Sequence, residues 1–407
     1  MLKTIENTEL SCLKYTALYQ KLQADFLFTG KDWLHNGEVL ITLPDGTIEA
    51  IVAEADAGEA IQKIEGVLCP GFVNTHCHLE LSHLKGTIPM HTGLVNFVLE
   101  IITKRFVEPE AIEQAIVAAE AEMLRNGIVA VGDICNTDHT LAQKQQSALH
   151  YYNFIETSGW LPAIATKRFE QAKNLWQQFS MPKSIVPHAP YSISTVLWQK
   201  IAPQFSGNVI TMHNQETPAE DALFRNGTGE FLRMYRQMQI DNGFFIPSGK
   251  SSLQTVAPYF NNASAVVLVH NTFSTKDDLM WIQQWAQQYN KQLFAAICIN
   301  ANLYIEQQVP PVSDMIDAGI AITIGTDSLA SNHSLSVLDE ITTINQYFPK
   351  VPLSNLLEWA THNGARALGM ENNLGTFMPH TKPGILQLKG IDVQCNSIKN
   401  AQVKRLM

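Results

Sequence analysis

From about residue 70 onwards the chain alternates short, apolar, β-rich runs with helical stretches, eight times over. The runs are Gly71–Thr75, Ile128–Asp133, His150–Ile155, Ser184–Pro187, Asn208–Met212, Ala265–Val269, Gln292–Ile297 and Ala318–Gly325. Helical patterns cover Glu110–Asn126, with Gly127 as a C′ stop, and also Trp281–Tyr289 and Pro352–Leu368. This rhythm predicts an α/β fold built on a (β/α)₈ TIM-type barrel. The two ends read differently. Leu22–Thr29, Glu38–Leu43 and Thr47–Val52 are predicted strands, with Pro44-Asp45-Gly46 as a turn. Ile385–Leu388 and Val403–Leu406 are predicted strands that follow Pro383-Gly384. Neither end buries enough to stand alone. The expectation is therefore a small β-sandwich domain of residues 1–68 plus 372–407, beside a barrel of 69–371.

In such a barrel, reactive groups come from the C-terminal ends of the strands. Here the successive ends are His76-Cys77-His78, Asp133, Glu156, His188, His213, His270, Cys298–Asn302 and Asp327. Four of the eight end in histidine. Residues i and i+2 of a strand share a face, so His76 and His78 can reach one ion while Cys77 points away. Cys77 reads as a packed small hydrophobe. A lone buried histidine is usually hydrogen-bonded filler. Repetition at one end of the barrel makes His76, His78, His213 and Asp327 the candidate ligands of one divalent ion. Three imidazoles and a carboxylate suit Zn²⁺ or Fe²⁺, without choosing between them. Such an ion lowers the pKa of water. Glu216, three residues after His213, is placed to stand beside the ion and shuttle a proton.

Composition limits the partners. With 28 Lys+Arg against 38 Asp+Glu, the formal charge is −10. A chain so acidic has no general attraction for nucleic acid or an anionic membrane. Its 45% hydrophobic and 16% charged residues support a large core. No apolar run reaches the roughly 18 residues of a spanning helix. Met1–Glu6 shows no basic-then-apolar leader pattern. The six cysteines are scattered without a C-x-x-C pair, which reads as reduced thiols in a cytoplasmic protein. The zinc deaminases that flip bases carry P-C-x-x-C, which is absent here.

Five motifs occur in order: Gly71-Phe72-Val73-Asn74-Thr75-His76-Cys77-His78-Leu79-Glu80-Leu81-Ser82, Pro187-His188-Ala189-Pro190-Tyr191-Ser192, His213-x-x-Glu216, Val269-His270 and Gly325-Thr326-Asp327-Ser328-x-x-Ser331-Asn332. Together they resemble the amidohydrolase superfamily, in the branch of cytosine, guanine, adenosine-type and S-adenosylhomocysteine deaminases and triazine hydrolases. The likeness covers essentially the whole chain, including Lys382-Pro383-Gly384. It implies His76, His78, His213 and Asp327 as ligands and Glu216 as general acid/base. It implies His270 as the residue that orients the attacking water, and His188 as a substrate-side histidine. Binuclear members carry a carboxylated lysine after strand four. Val186-Pro187-His188 stands there instead, which favours one metal. After strand seven the branch often reads Cys-Pro-x-Ser-Asn, whereas this chain reads Cys298-Ile299-Asn300-Ala301-Asn302.

His78–Gly86 and Asn302–Ile305 are most similar to aminodeoxyfutalosine deaminases, enzymes of an alternative menaquinone pathway. That resemblance implies hydrolytic deamination of an amino-purine nucleoside. Water attacks the amino-bearing carbon, Glu216 carries a proton to the ring nitrogen, and His270 and Asp327 orient and stabilise the intermediate. His188, Glu80 and Ser328 are the candidate substrate-binding residues. Glu80 reads equally well as an ion-pair partner of Lys85 or Arg105. A substrate carboxylate calls for a cation, for which Lys167 and Arg168 are candidates. The family likeness implies a homodimer. Alternatives are a guanine, cytosine or S-adenosylhomocysteine deaminase, a triazine-type chlorohydrolase, and a metal-free scaffold on the same barrel.

Overall fold

A computed structural model describes residues 18–407. Cys12, the Met1–Glu6 leader reading and the start of the 1–68 segment lie outside the described residues. The chain divides into two compact units: Met1–Val73, Leu124–Val129 and Val337–Met407 form one, and Asn74–Met123 with Ala130–Ser336 the other.

All eight apolar runs are strands: Phe72–Cys77, Ile128–Cys135, His150–Thr157, Lys183–Pro187, Val209–Asn214, Ala265–His270, Gln292–Ile297 and Ala321–Ile324. The first four form one four-stranded sheet and the last four another. The pairings between the second and fourth strands, and between the fifth and eighth, are parallel. Parallel strands covered on both faces need continuous apolar runs, not alternation. Ala265–His270 and Val209–Asn214 accordingly bury every residue. Hydrogen bonds also join the fourth strand to the fifth and the eighth to the first. His213 N donates to His188 O (2.9 Å), and Asp327 N donates to His76 O (3.1 Å). A parallel bridge pairs Cys77 with Asp327.

The helices follow local chemistry. Thr275 caps Lys276–Gln288 by accepting from Asp278 N. The helix Pro109–Arg125 is followed by Gly127 at φ +77°, the left-handed conformation that favours glycine. The expected Pro352–Leu368 helix is two helices, Leu353–Ala360 and His362–Ala367, broken at Thr361 (φ −127°, ψ −88°).

The other unit carries one seven-stranded sheet. Its order is Ser397–Arg405, Ile385–Asp392, Gln62–Pro70, Gln20–Phe28, Val39–Thr42 and Ile48–Val52, with Trp33–Leu34 pairing Gln20–Phe28. Ile385–Leu388 runs antiparallel to Val67–Pro70, so strands from the two ends of the chain share this sheet. Leu22, Leu27, Leu40, Ile48, Leu68 and Ile385 form its core. The Gln62–Pro70 strand escapes the sequence reading because Gln62-Lys63-Ile64-Glu65-Gly66 has no β alternation. Among the described residues, no helix is long and apolar enough to cross a membrane.

Candidate active site

The strand ends converge. One ligand atom each from His76, His78 and His213 lies within 4.8 Å of the others. Nε2 of His78 and Nε2 of His213 are 3.2 Å apart. Oδ1 of Asp327 is 3.5 Å from His78 Nε2 and 3.7 Å from His76 Nε2. His213 Nδ1–H donates to the His188 carbonyl (2.8 Å), which leaves its Nε2 lone pair facing the cluster. Burial first, then the neighbouring imidazoles, hold the His213 pKa well below the usual histidine range. The same causes hold His78 down at about 3. Neutral imidazoles are the form that binds a metal. Burial alone would raise Asp327, but His76, His78 and His270 outweigh it and hold the carboxyl well below its usual value. Both ring nitrogens of His76 are buried without a hydrogen-bond partner. An orphaned imidazole among two others and a carboxylate fits a divalent ion, which would supply the missing partner.

Glu216 stands beside this cluster, with Oε1 3.6 Å from Nε2 of His270. Burial first, then Asp327, Glu306 and Glu220, push its carboxyl well above the usual range. Nδ1–H of His270 donates to Oδ1 of Asn302 (2.8 Å), which turns Nε2 toward Glu216. Asn302 thus gives the Cys298–Asn302 loop a task the motif comparison left open. Burial, ahead of its neighbours, lowers His270 to about 4 and His188 to about 4.

The backbone at these strand ends is unusual. Gln215, His270, Asn271 and Asp327 all have positive φ (44°, 70°, 54° and 56°). Non-glycine residues in that region are uncommon and persist only where surrounding bonds over-determine them. Here Gln215 N donates to Glu220 Oε1 (2.8 Å), Ser274 Oγ to Gln215 Oε1 (2.7 Å) and Ser331 Oγ to Asp327 Oδ2 (2.6 Å).

A cavity of about 210 Å³ opens onto the cluster. His78, His188, His213, Glu216, His270, Asp327 and Ser328 line it. His76 lies behind them, fully buried. Glu80 does not line the cavity. Its Oε1 accepts from Arg105 Nη2 (3.1 Å), and Oε2 accepts from Asn136 N, Thr137 N and Thr137 Oγ1 (3.1, 2.9 and 2.7 Å). Lys85 pairs with Glu122 instead (3.6 Å). Lys167 and Arg168 are exposed on the helix Ala165–Gln178, away from the cavity lining. Sequence reasoning gave Glu156 no role, yet it lines the cavity with a buried, unpartnered Oε2. Its position at the end of strand three was the available signal.

Asp133 lies off the cavity lining. It is paired with Lys144 at 2.5 Å, both side chains wholly buried. Its Oδ1 accepts from Leu79 N (2.8 Å), so the pair steadies the turn that carries His78. Lys144→Met should therefore cost about 3–5 kcal/mol, because Asp133 is left as an uncompensated buried charge. Chemical denaturation of the variant checks this. A loss under about 1 kcal/mol, the scale of a surface pair, would mean the two charges do not depend on each other.

The amidohydrolase family model matches residues 67–386. The chain belongs to the amidohydrolase family. It is a hydrolase acting on carbon–nitrogen bonds. An adenosine deaminase from Helicobacter pylori is 25% identical over 318 residues, covering 75% of each chain. An aminodeoxyfutalosine deaminase from Nitratiruptor sp. is 24% identical over 344 residues, covering 80% of each. Among solved structures, H. pylori aminofutalosine deaminase in complex with methylthio-coformycin superposes with a TM-score of 0.76 at 22% identity, covering 90% of this chain and 91% of that one. An adenosine deaminase from Xanthomonas campestris with bound zinc superposes with a TM-score of 0.67 at 20% identity, covering 92% and 86%. The likeness at these identities establishes a shared amidohydrolase fold.

Proposed function

We propose that this amidohydrolase is a mononuclear, zinc-dependent deaminase of an amino-purine nucleoside, with aminodeoxyfutalosine as its preferred substrate. We further propose that the two four-stranded sheets close into one (β/α)₈ barrel. The observation that carries the reading is the meeting of Glu216, buried and held protonated, with an imidazole cluster that has an orphaned member. The names of similar proteins, deaminases of adenosine and of aminodeoxyfutalosine, add support.

The residues divide the work. His76, His78, His213 and Asp327 would hold the ion, which supplies Lewis acidity and activates water. Glu216 takes the proton of the attacking water and delivers it to the ring nitrogen beside the reacting carbon. His270, fixed by Asn302, orients the water and stabilises the oxygen of the tetrahedral intermediate. A carbon–oxygen bond forms, the exocyclic carbon–nitrogen bond breaks, and ammonia leaves with the second proton. His188 and Ser328 offer polar contacts to the nucleoside at the cavity wall.

The test is the ultraviolet change from adenine to hypoxanthine. Adenosine, 5′-methylthioadenosine, S-adenosylhomocysteine and aminodeoxyfutalosine are compared, and the last should give the highest kcat/KM. If all four are inert while guanine, cytosine or a chlorinated triazine turns over, the substrate reading is wrong.

A further inference from the structure

The cavity has two unlike sides. One is the histidine and carboxylate cluster. The other is apolar: Leu94, Phe97 and Ile101 from the helix Leu94–Lys104 face it, with Met234 and Met238 at the helix Glu230–Gln237. Arg105, immediately after the first of these helices, is the one lysine or arginine among the lining residues.

We propose that Arg105 anchors an anionic group at the far end of an apolar arm of the substrate. The proposal rests on the deaminase reading above and adds to it the chemistry of the arm and the residue that selects it.

Three observations carry it. First, Arg105 is held rather than loose. Its partner Glu80 is 2% exposed at the side chain, and Oε2 of Glu80 is anchored by three donors of Asn136 and Thr137. Second, Arg105 is the accessible member of the pair, with its side chain 25% exposed at the cavity. The Glu80 contact uses Nη2, whereas a guanidinium carries five donors in a planar fork that matches carboxylate. Third, the wall between Arg105 and the reaction centre is apolar. The acidic side chains lining the cavity are Glu156, Glu216 and Asp327, from the strand ends, and none comes from the apolar helices. A zwitterionic arm would leave its ammonium without a counter-charge there, at a desolvation cost. A monoanionic, aryl- or alkyl-rich arm loses nothing of the kind and gains from burial. The anchor is thus set to favour an aryl carboxylate over an amino-acid tail.

The experiment compares aminodeoxyfutalosine with its primary carboxamide on metal-loaded wild type, Arg105→Gln and Arg105→Lys. In wild type the acid should be preferred. In Arg105→Gln the ratio of kcat/KM for acid over carboxamide should fall roughly 10–100-fold, through KM, as expected for a lost charge-assisted hydrogen bond. Arg105→Lys should restore part of the ratio. Equal losses on acid and carboxamide, or no preference in wild type, would overturn the proposal. Calorimetric titration with 3-acetylbenzoate is run alongside, because it needs no turnover. If no nucleoside is deaminated, the deaminase reading falls, and the titration alone decides Arg105. Weaker binding to Arg105→Gln supports the anchor, and identical binding refutes it.

Discussion

Glu216→Gln keeps the metal and the fold and lowers kcat by roughly 10²–10⁴, the range of a positioned general acid/base. The side chain is 4% exposed and faces His270 at 3.6 Å. Burial, with Asp327, Glu306 and Glu220 around it, already favours its uncharged form. A glutamine of the same shape replaces that form without stranding a charge, so stability should hardly move. Proton transfer, by contrast, is lost outright. The variant is judged by metal analysis, thermal unfolding and steady-state turnover. Near-parental kcat would move the proton shuttle to His270 or Asp327.

Stripping the metal should abolish turnover and restoring zinc should recover it, with about one ion per chain by analogy with catalytic zinc sites that keep an open position. The reason is visible at His76, whose two ring nitrogens are buried and unpartnered. Without an ion, His78 and His213 also bring two Nε2 atoms to 3.2 Å. An ion present at 1,000 times its dissociation constant adds about 4.1 kcal/mol to stability. The stripped protein should therefore melt earlier as well as lose activity. Protein that is free of metal by elemental analysis, yet fully active after exhaustive chelation, would end the metal reading.

Much of the framework was legible because parallel strands announce themselves. Val266–Val269 is apolar at every position, and a histidine directly after such a run has one place to be. The positions of His76, His78, His213, His270 and Asp327 could be read in that way. What could not be read depends on side chains that meet across the sequence. Glu80 and Arg105 are 25 residues apart, and sequence alone left their pairing level with two other readings. Asn302 reaches His270 across 32 residues from a helix, Ile299–Glu306, that carries no cap signal. The apolar wall escaped for another reason. Leu94–Lys104 follows Gly93 without a side-chain cap, so nothing marked its start. The Gln62–Pro70 strand is defined by its neighbours, Gln20–Phe28 and Ile385–Asp392, rather than by its own pattern.

The bond from Asp327 N to the carbonyl of His76 has a consequence for how the protein is made. On a ribosome adding about 5–20 residues each second, roughly 10–50 s separate the emergence of these two positions. Throughout that interval His76 and His78 are exposed to the cell, and the carboxylate that completes their set does not yet exist. An ion captured early is held by histidines alone and exchanges readily. It is locked in only when the final strand arrives and the turn at Asp327 closes over it. Which metal a finished molecule carries is thus decided late in synthesis, by what is available as the last ligand docks.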